Sequence, residues 1–365
     1  MYTNDKRIVM TLDAGGTNFV FSAIQGGKEI ARPVVLPACA DCLDKCLSNL
    51  VEGFKTIKTN LPEAPAAISF AFPGPADYNA GIIGDLPNFP SFRGGVALGP
   101  FLEETFGIPV FINNDGSLFA YGEALTGVLP EINKRLQEAG STKQFKNLLG
   151  ITLGTGFGAG VVIDGELLQG DNAAGGYIWC FRNKKYPDYI VEESVSIRAV
   201  IRVYQERSGD VTPYTPKEIF DIAEGLIPGN KEAAIAAFEE LGEMAGDAIA
   251  SAVTLIDGLV VIGGGLSGAS KYIMPALLKE MQSETGMMDG TRFGRLQKKI
   301  YNLDEDKSFA EFTLGETVKI AVPGTDLKVS YDPSKRTGVI ISKQGANRSI
   351  AMGAYVYALN HLPIK

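Results

Sequence analysis

Met10-Thr11-Leu12-Asp13-Ala14-Gly15-Gly16-Thr17-Asn18 is the stretch from which the fold of this chain can be read. An apolar strand runs into an acidic residue, breaks at paired glycines, and resumes as a second strand from Phe19 to Gln25. The arrangement recurs downstream. Leu148 to Leu153 leads into Gly154-Thr155-Gly156-Phe157-Gly158, and Ala159 to Ile163 continues as a strand. Closely spaced glycines let successive backbone N–H groups converge on an anion, forming a nest that can hold a phosphate. Two such turns, a domain's length apart in similar strand-turn-strand settings, predict a duplicated scaffold that grips a polyphosphate.

Between them lies Asn113-Asn114-Asp115, at the mouth of the strand Val110 to Asn113. Asp115 is placed to cap a helix, and equally to take a proton from a substrate hydroxyl. Asp13, ending the first strand, is placed to order the water shell of a Mg²⁺ ion beside nucleotide phosphates. Thr17, Asn18 and Thr155 offer side-chain donors to those phosphates. No Walker loop is present, because Gly27-Lys28 leads into Glu29 rather than Ser or Thr. Gly263 to Gly268 reads GGGLSG and formally satisfies the dinucleotide fingerprint. That fingerprint needs an acidic strand end about 20 residues on, and the region GMMDGTRFG around Asp289 reads as having no strand. Gly263, Gly264 and Gly265 are better read as a bend against which adenosine packs. The single histidine, His361, leaves no basis for triad hydrolysis or a histidine metal site.

Composition agrees. The chain has 365 residues, 45% of them hydrophobic and 21% charged, enough apolar material for two cores. A net charge of −8 argues against nucleic-acid partners. No apolar run approaches the roughly 18 residues of a membrane span. The polar start of the chain reads as lacking a signal peptide, so a cytoplasmic location is expected. Cys39, Cys42 and Cys46 fall at i, i+3 and i+7 and are read as one face of an amphipathic helix reaching about Lys58; a three-cysteine metal site is the alternative.

Three opening strands (Arg7 to Asp13, Phe19 to Gln25, Glu29 to Leu36), the cysteine helix, the strand Ala66 to Phe72 and the helix Gly99 to Phe106 precede Asp115. After the second turn, helical material is predicted from Val195 to Glu206, Lys217 to Ile256 and Lys271 to Glu284, with a strand at Leu259 to Ile262. Val318 to Ile341 reads as an inserted β-hairpin, and Ser349 to Leu359 as the last helix. The alternation predicts an α/β fold.

Taken together these residues resemble the ROK family (repressor, open reading frame, kinase) of the actin-like ATPase superfamily. Its first phosphate motif is similar to Leu12 to Asn18, its Pro-Gly-Pro element to Pro73-Gly74-Pro75, and its Leu-Pro-Asn sugar loop to Leu86-Pro87-Asn88. Its catalytic segment corresponds to Asn113 through Ser117, its second phosphate motif to Leu153 through Gly160, and its adenosine-side glycines to Gly263 through Gly265. Its closing helix resembles Met352-Gly353-Ala354-Tyr355. The resemblance implies a two-domain actin-like ATPase (ribonuclease H-like) fold with the nucleotide site in the interdomain cleft. Residues 1–118 with 350–365 would form the N-terminal domain. Residues 119–349 would form the C-terminal domain, with an insertion at about 318–341. The implied activity is ATP- and Mg²⁺-dependent phosphorylation of a hexose or modified hexose. Asp115 would be the base, Asp13 the Mg²⁺ residue acting through water, and Gly15, Gly16, Thr17, Asn18, Gly154, Thr155 and Gly156 the phosphate cradle. Asn88, Asn114, Asp115, Glu192 and Tyr177 would face the sugar. The expected partner is that small molecule, without nucleic acid or membrane, and with a homodimer as an option.

The departures carry information. The family's Gly-Glu-Ile-Gly-His stretch falls on Gly176-Tyr177-Ile178-Trp179-Cys180, so Tyr and Cys replace its sugar-contacting Glu and His. Its cysteine-rich zinc loop has no counterpart, since Phe181 to Ile190 holds no cysteine, and no structural zinc is expected. These losses motivate two further readings: a catalytically silent sugar-binding protein on the same fold, and a kinase for which plain glucose is a poor substrate.

Overall fold

The structure is a computed structural model that describes residues 2–84 and 89–362. In chain order its first elements are β1 (Val9–Ala14), β2 (Asn18–Gln25), β3 (Lys28–Glu29), β4 (Val34–Pro37) and α1 (Leu43–Thr59). There follow β5 (Ala67–Ala71), β6 (Ala76–Asp77), β7 (Ile82–Ile83), α2 (Leu98–Phe106), β8 (Val110–Asn113) and α3 (Asp115–Leu125). Next come α4 (Val128–Glu138), β9 (Leu148–Leu153), β10 (Phe157–Ile163), β11 (Glu166–Leu167), α5 (Ile197–Ser208), α6 (Pro216–Glu224) and α7 (Lys231–Ile256). The remainder is β12 (Leu259–Gly263), α8 (Ser270–Met281), β13 (Glu284–Gly286), β14 (Arg292–Gly294), β15 (Lys299–Asn302), α9 (Asp306–Leu314), β16 (Val318–Ala321), β17 (Lys328–Tyr331), β18 (Arg336–Ile341) and α10 (Ala346–His361).

The chain divides into two α/β units. The first comprises 1–127, 166–176 and 344–365, and the second 128–165 and 177–343. The divisions fall beyond the end of α3 and ahead of α10, whereas the sequence suggests cuts at 118 and 350. The reason is packing: α3 and α10 lie against each other over most of their length and cannot be split between units.

In the first unit the sheet order is β3-β2-β1-β5-β8, with β4 also paired to β2. β1 and β2 are antiparallel, whereas β1, β5 and β8 run parallel. β5 is buried at all five residues, as a central parallel strand covered on both faces should be. Phe19, Phe21, Phe54, Phe70, Phe72 and Phe89 fill the core against α1. Two elements differ from expectation. Pro33 has no N–H for a ladder, so the predicted strand Glu29 to Leu36 is interrupted and forms as β3 and β4. The cysteine helix begins only at Leu43: Cys39 has φ +49, Cys42 is the exposed N-cap, and Cys46 alone lies buried on the helix. Burial pushes the Cys46 thiol up to about 12.

The second unit repeats the pattern, its strands running in the order β10-β9-β12-β18-β15. β9 and β10 are antiparallel, and β9, β12, β18 and β15 are parallel. Helices α5 to α8 bury Val200, Tyr204, Phe238, Ile249 and Leu277 in its core. The continuous helical material expected from Lys217 to Ile256 is broken into α6 and α7 by the left-handed Gly225 cap, with Asn230 capping α7. The expected insertion is smaller than its predicted range. Only β16 and β17 form the exposed hairpin, while β18 is a buried strand between β12 and β15. The Asp289 region, expected to lack strands, carries the short exposed hairpin β13–β14.

One close approach fixes the first unit. A Cβ on Gly353 of α10 would overlap the Leu118 carbonyl oxygen of α3, and a Cβ on Gly122 would overlap the Ser349 carbonyl oxygen. The helices therefore touch backbone to backbone. Gly353→Ala should destabilise the protein by about 2 kcal/mol or more, because neither carbonyl can swing aside. Urea unfolding would read this as a lower midpoint at unchanged slope; an unchanged midpoint would refute the close crossing.

Candidate active site

In the first unit, β1 delivers Asp13 to the start of a tight turn. The Gly15 N–H donates to the Asn18 carbonyl at 3.1 Å, and the Ala38 N–H donates to that of Thr17 at 2.9 Å. Gly15, Gly16, Thr17 and Asn18 are exposed, so their polar groups are available to a ligand. β8 ends on Asn113, and α3 opens on Asp115 with Asn114 as N-cap. The Gly116 N–H donates to Asn114 Oδ1 at 2.9 Å and to Asp115 Oδ1 at 2.8 Å. Asn114 Nδ2 is 3.4 Å from the Tyr78 hydroxyl, which donates to the Phe72 carbonyl at 3.0 Å. Gln169 Nε2 donates to Asn113 Oδ1 at 3.1 Å and to the Tyr357 hydroxyl at 3.0 Å, securing the strand end from the other side.

Asp13, Gly16, Phe72, Pro73, Phe89 and Asp115 line one cavity of about 530 Å³ in this unit. Asp115 lies deep among protein atoms, and that desolvation pushes its carboxyl above the ordinary value; the Gly116 N–H works in the opposite direction. The residue is nevertheless open to solvent through the cavity, and water reaching the carboxylate restrains the upward push.

In the second unit, β9 and β10 carry the other turn. The Gly154 N–H donates to the Gly156 carbonyl at 3.1 Å, and the Ile197 N–H donates to the Gly154 carbonyl at 2.9 Å. The Glu192 carboxylate is tied to this turn. Its Oε2 accepts from the Phe157 N–H at 3.0 Å and its Oε1 from Arg198 at 3.0 Å. Gly156 must lack a side chain, because a Cβ there would meet Glu192 Oε2 at 2.5 Å. Gly263 pairs in register with Thr152, and Gly264, at φ +91, passes against the Leu153 backbone. Gly154 to Gly156 and Gly263 to Gly265 thus meet at the ends of neighbouring parallel strands. Tyr177 precedes a short 3-10 turn, Ile178–Cys180, and its ring lies 5.8 Å from that of Trp179. The Cys180 thiol donates to the Tyr177 carbonyl at 2.9 Å.

The first unit therefore gathers Asp13, Gly15, Gly16, Thr17, Asn18, Asn114 and Asp115. The second gathers Gly154, Thr155, Gly156, Glu192, Gly263, Gly264 and Gly265, with Tyr177 elsewhere on its surface loops. Asn88 lies outside the described residues. Sequence reasoning missed Tyr78, Gln169 and Arg348, the last of which also lines the cavity. None stands in a glycine or carboxylate motif, so no local signal marks them. Asp13 offers a single exposed carboxylate, suited to Mg²⁺ held through water. The segment after Cys180 does not suit the family's zinc site: Phe181 to Ile190 contains no cysteine or histidine, and the Cys180 thiol is already turned to a carbonyl. Among the described residues, no three His, Cys, Asp or Glu side chains group to hold a metal, and no helix is long and apolar enough to cross a membrane.

Residues 9–287 match the ROK family. A crystal structure named glucokinase, from Parabacteroides distasonis, shares 82% identity over 99% of this chain and 100% of that one, with a TM-score of 0.93. The glucokinase of Streptomyces coelicolor is 26% identical over 200 residues, 49% of this chain and 58% of that protein, so the chain spans little more than half of that relative's length. The N-acetyl-D-glucosamine kinase of Photobacterium profundum is 24% identical over 320 residues, 78% of this chain and 98% of that protein. With the family matched across most of its length and both glycine turns in place, this chain belongs to the ROK family.

Proposed function

We propose that this chain is an ATP-dependent carbohydrate kinase that transfers the γ-phosphate to a hydroxyl of a hexose or modified hexose, the primary hydroxyl being the acceptor. The observation that carries the reading is the sharing of one cavity by Asp13, Gly16 and Asp115. Asp115 takes the proton of the attacking hydroxyl. In the first unit Gly15, Gly16, Thr17 and Asn18 offer donors to the nucleotide phosphates; in the second, Gly154, Thr155 and Gly156 form a turn of the same phosphate-holding kind. Gly263, Gly264 and Gly265 give adenosine a surface without side chains. Mg²⁺, when bound beside Asp13, supplies charge neutralisation on the β- and γ-phosphate oxygens. Asn114 and Asn88 hold sugar hydroxyls, and Glu192 adds to recognition while holding the second turn. A coupled ADP-release assay over a sugar panel tests the whole reading; no release with any sugar would favour a catalytically silent binding protein.

Asp115→Asn keeps size and hydrogen bonding but removes the proton acceptor, so kcat should fall roughly 10²-fold or more while sugar binding persists. The parent's kcat/KM should decline on the acid side, at a pH above that of an ordinary Asp of about 4. The sign follows from the upward shift: the base is active only when ionised, and its burial delays ionisation. Stability runs the other way. A raised folded-state value means the ionised form weakens the fold at neutral pH, so the variant should unfold at the same temperature or higher. Undiminished kcat would remove Asp115 from the mechanism.

Tyr177, Trp179 and Cys180 offer no carboxylate or imidazole to a sugar, and aromatic faces suit the C–H surface of a ring or an added substituent. Recognition of the 1- and 2-hydroxyls should be weak, with a hexose altered at carbon 1 or 2 preferred to glucose. The name of the structure sharing 82% identity points instead to glucose. Comparing kcat/KM for glucose, mannose, fructose, allose and N-acetylated hexosamines decides; a wide lead for glucose defeats the argument from Tyr177 and Cys180 and leaves the kinase reading intact.

Metal analysis of the purified protein should find no stoichiometric zinc, since such a site needs about four N/S ligands. One zinc per chain would direct attention back to Cys39, Cys42 and Cys46.

A further inference from the structure

The cavity that holds Asp13 and Asp115 extends along β1 and β2 to the first turn of α10. Its charged lining is unbalanced. Asp13, Glu29 and Asp115 are acidic, and among the described lining residues Arg348 is the only cation. A site meant for a neutral sugar alone has no need of that guanidinium, whereas a polyanion entering beside three carboxylates needs a positive partner.

The contacts of Arg348 leave it able to serve. One guanidinium nitrogen, Nη2, donates to the Gly27 carbonyl oxygen, while Nη1 makes a long ion pair of 3.9 Å with Glu29, beyond hydrogen-bond reach. A guanidinium presents five N–H donors in a rigid fork matched to phosphate oxygens. The side chain is about one-third exposed, so it is supported by the fold and still accessible. A second polar group points to a ligand independently. Ser22 Oγ, on β2 opposite Thr11, lines the same cavity, is shielded from solvent and has no hydrogen-bond partner in the structure. Buried hydroxyls without partners are uncommon and mark places where another molecule completes the bonding.

We propose that Arg348 binds the phosphate chain of the nucleotide donor, with the Ser22 hydroxyl as an auxiliary donor in the same cavity. This role rests on the kinase reading and gives it a phosphate-binding cation that lies outside both glycine turns. Arg348 enters from the C-terminal helix, remote in sequence from the turn formed by Gly15, Gly16, Thr17 and Asn18.

The competing role is structural: Arg348 could serve only to pin α10 to the β2–β3 turn through Gly27. Calorimetric titration of ADP with Mg²⁺ into the parent, Arg348→Lys, Arg348→Ala and Ser22→Ala separates the two, together with KM for ATP and for the sugar and a thermal unfolding midpoint. Phosphate binding predicts that Arg348→Ala weakens ADP binding and raises KM for ATP by about tenfold or more. It also predicts that KM for the sugar stays within about twofold, and that Arg348→Lys recovers part of the loss because a point charge remains. Ser22→Ala should weaken ADP binding less than Arg348→Ala does. Unchanged ADP affinity in Arg348→Ala overturns the proposal, as does an equal loss for ATP and sugar accompanied by a lower unfolding midpoint. If the parent binds ADP but phosphorylates no sugar, the kinase reading fails while the titrations still judge Arg348.

Discussion

The crossing of α3 and α10 is the constraint on which the first unit depends. Gly122 and Gly353 let two backbones touch where any side chain would hold them apart. Ser349 Oγ then donates to the buried Glu123 side chain at 2.6 Å, so the crossing also gives that buried polar group a hydrogen-bond partner. The N-terminus of α3 is aimed by this contact, and Asp115 is its first residue. The same contact sets the start of α10, which brings Arg348 to the cavity wall. A pair of glycines with no chemistry of their own therefore determines where α3 begins and where α10 meets the cavity.

Each unit builds its turn in the same way: an antiparallel hairpin at the side of a parallel sheet, with glycines where the strands reverse. The turns are supported differently. The first is closed by backbone bonds from Gly15 and Ala38. The second is braced by a side chain, since Glu192 accepts from the Phe157 N–H and is itself held by Arg198. Its carboxylate thus has a structural task beside any contact with sugar.

The turns and Asp115 are legible in the sequence because those positions are governed by local backbone geometry, which restricts residue type directly. Gly156 and Gly264 are glycines because Glu192 and Leu153 occupy the space a Cβ would need. Features decided by tertiary packing are less legible. β18 reads as part of a hairpin because a short apolar run looks alike whether it edges an insertion or fills a sheet. The true start of α1 is hidden because the left-handed backbone at Cys39 leaves no mark in a helical spacing pattern. Arg348, Gln169 and Tyr78 reach their partners across long sequence separations or through hydroxyls that no motif records.

The environment of Asp115 suits the chemistry proposed for it. Phosphoryl transfer passes through a loose transition state in which the attacking hydroxyl needs little help until late, so a strongly elevated base is unnecessary. What matters is that the carboxylate stays ionised at neutral pH and correctly oriented. The Gly116 N–H and the open cavity favour the ionised form, while surrounding protein atoms oppose it. A sugar entering the cavity would close Asp115 off from solvent, and the desolvating push would grow. The base would then strengthen just as its substrate arrives, with the Gly116 N–H still holding one oxygen and leaving the other for the hydroxyl.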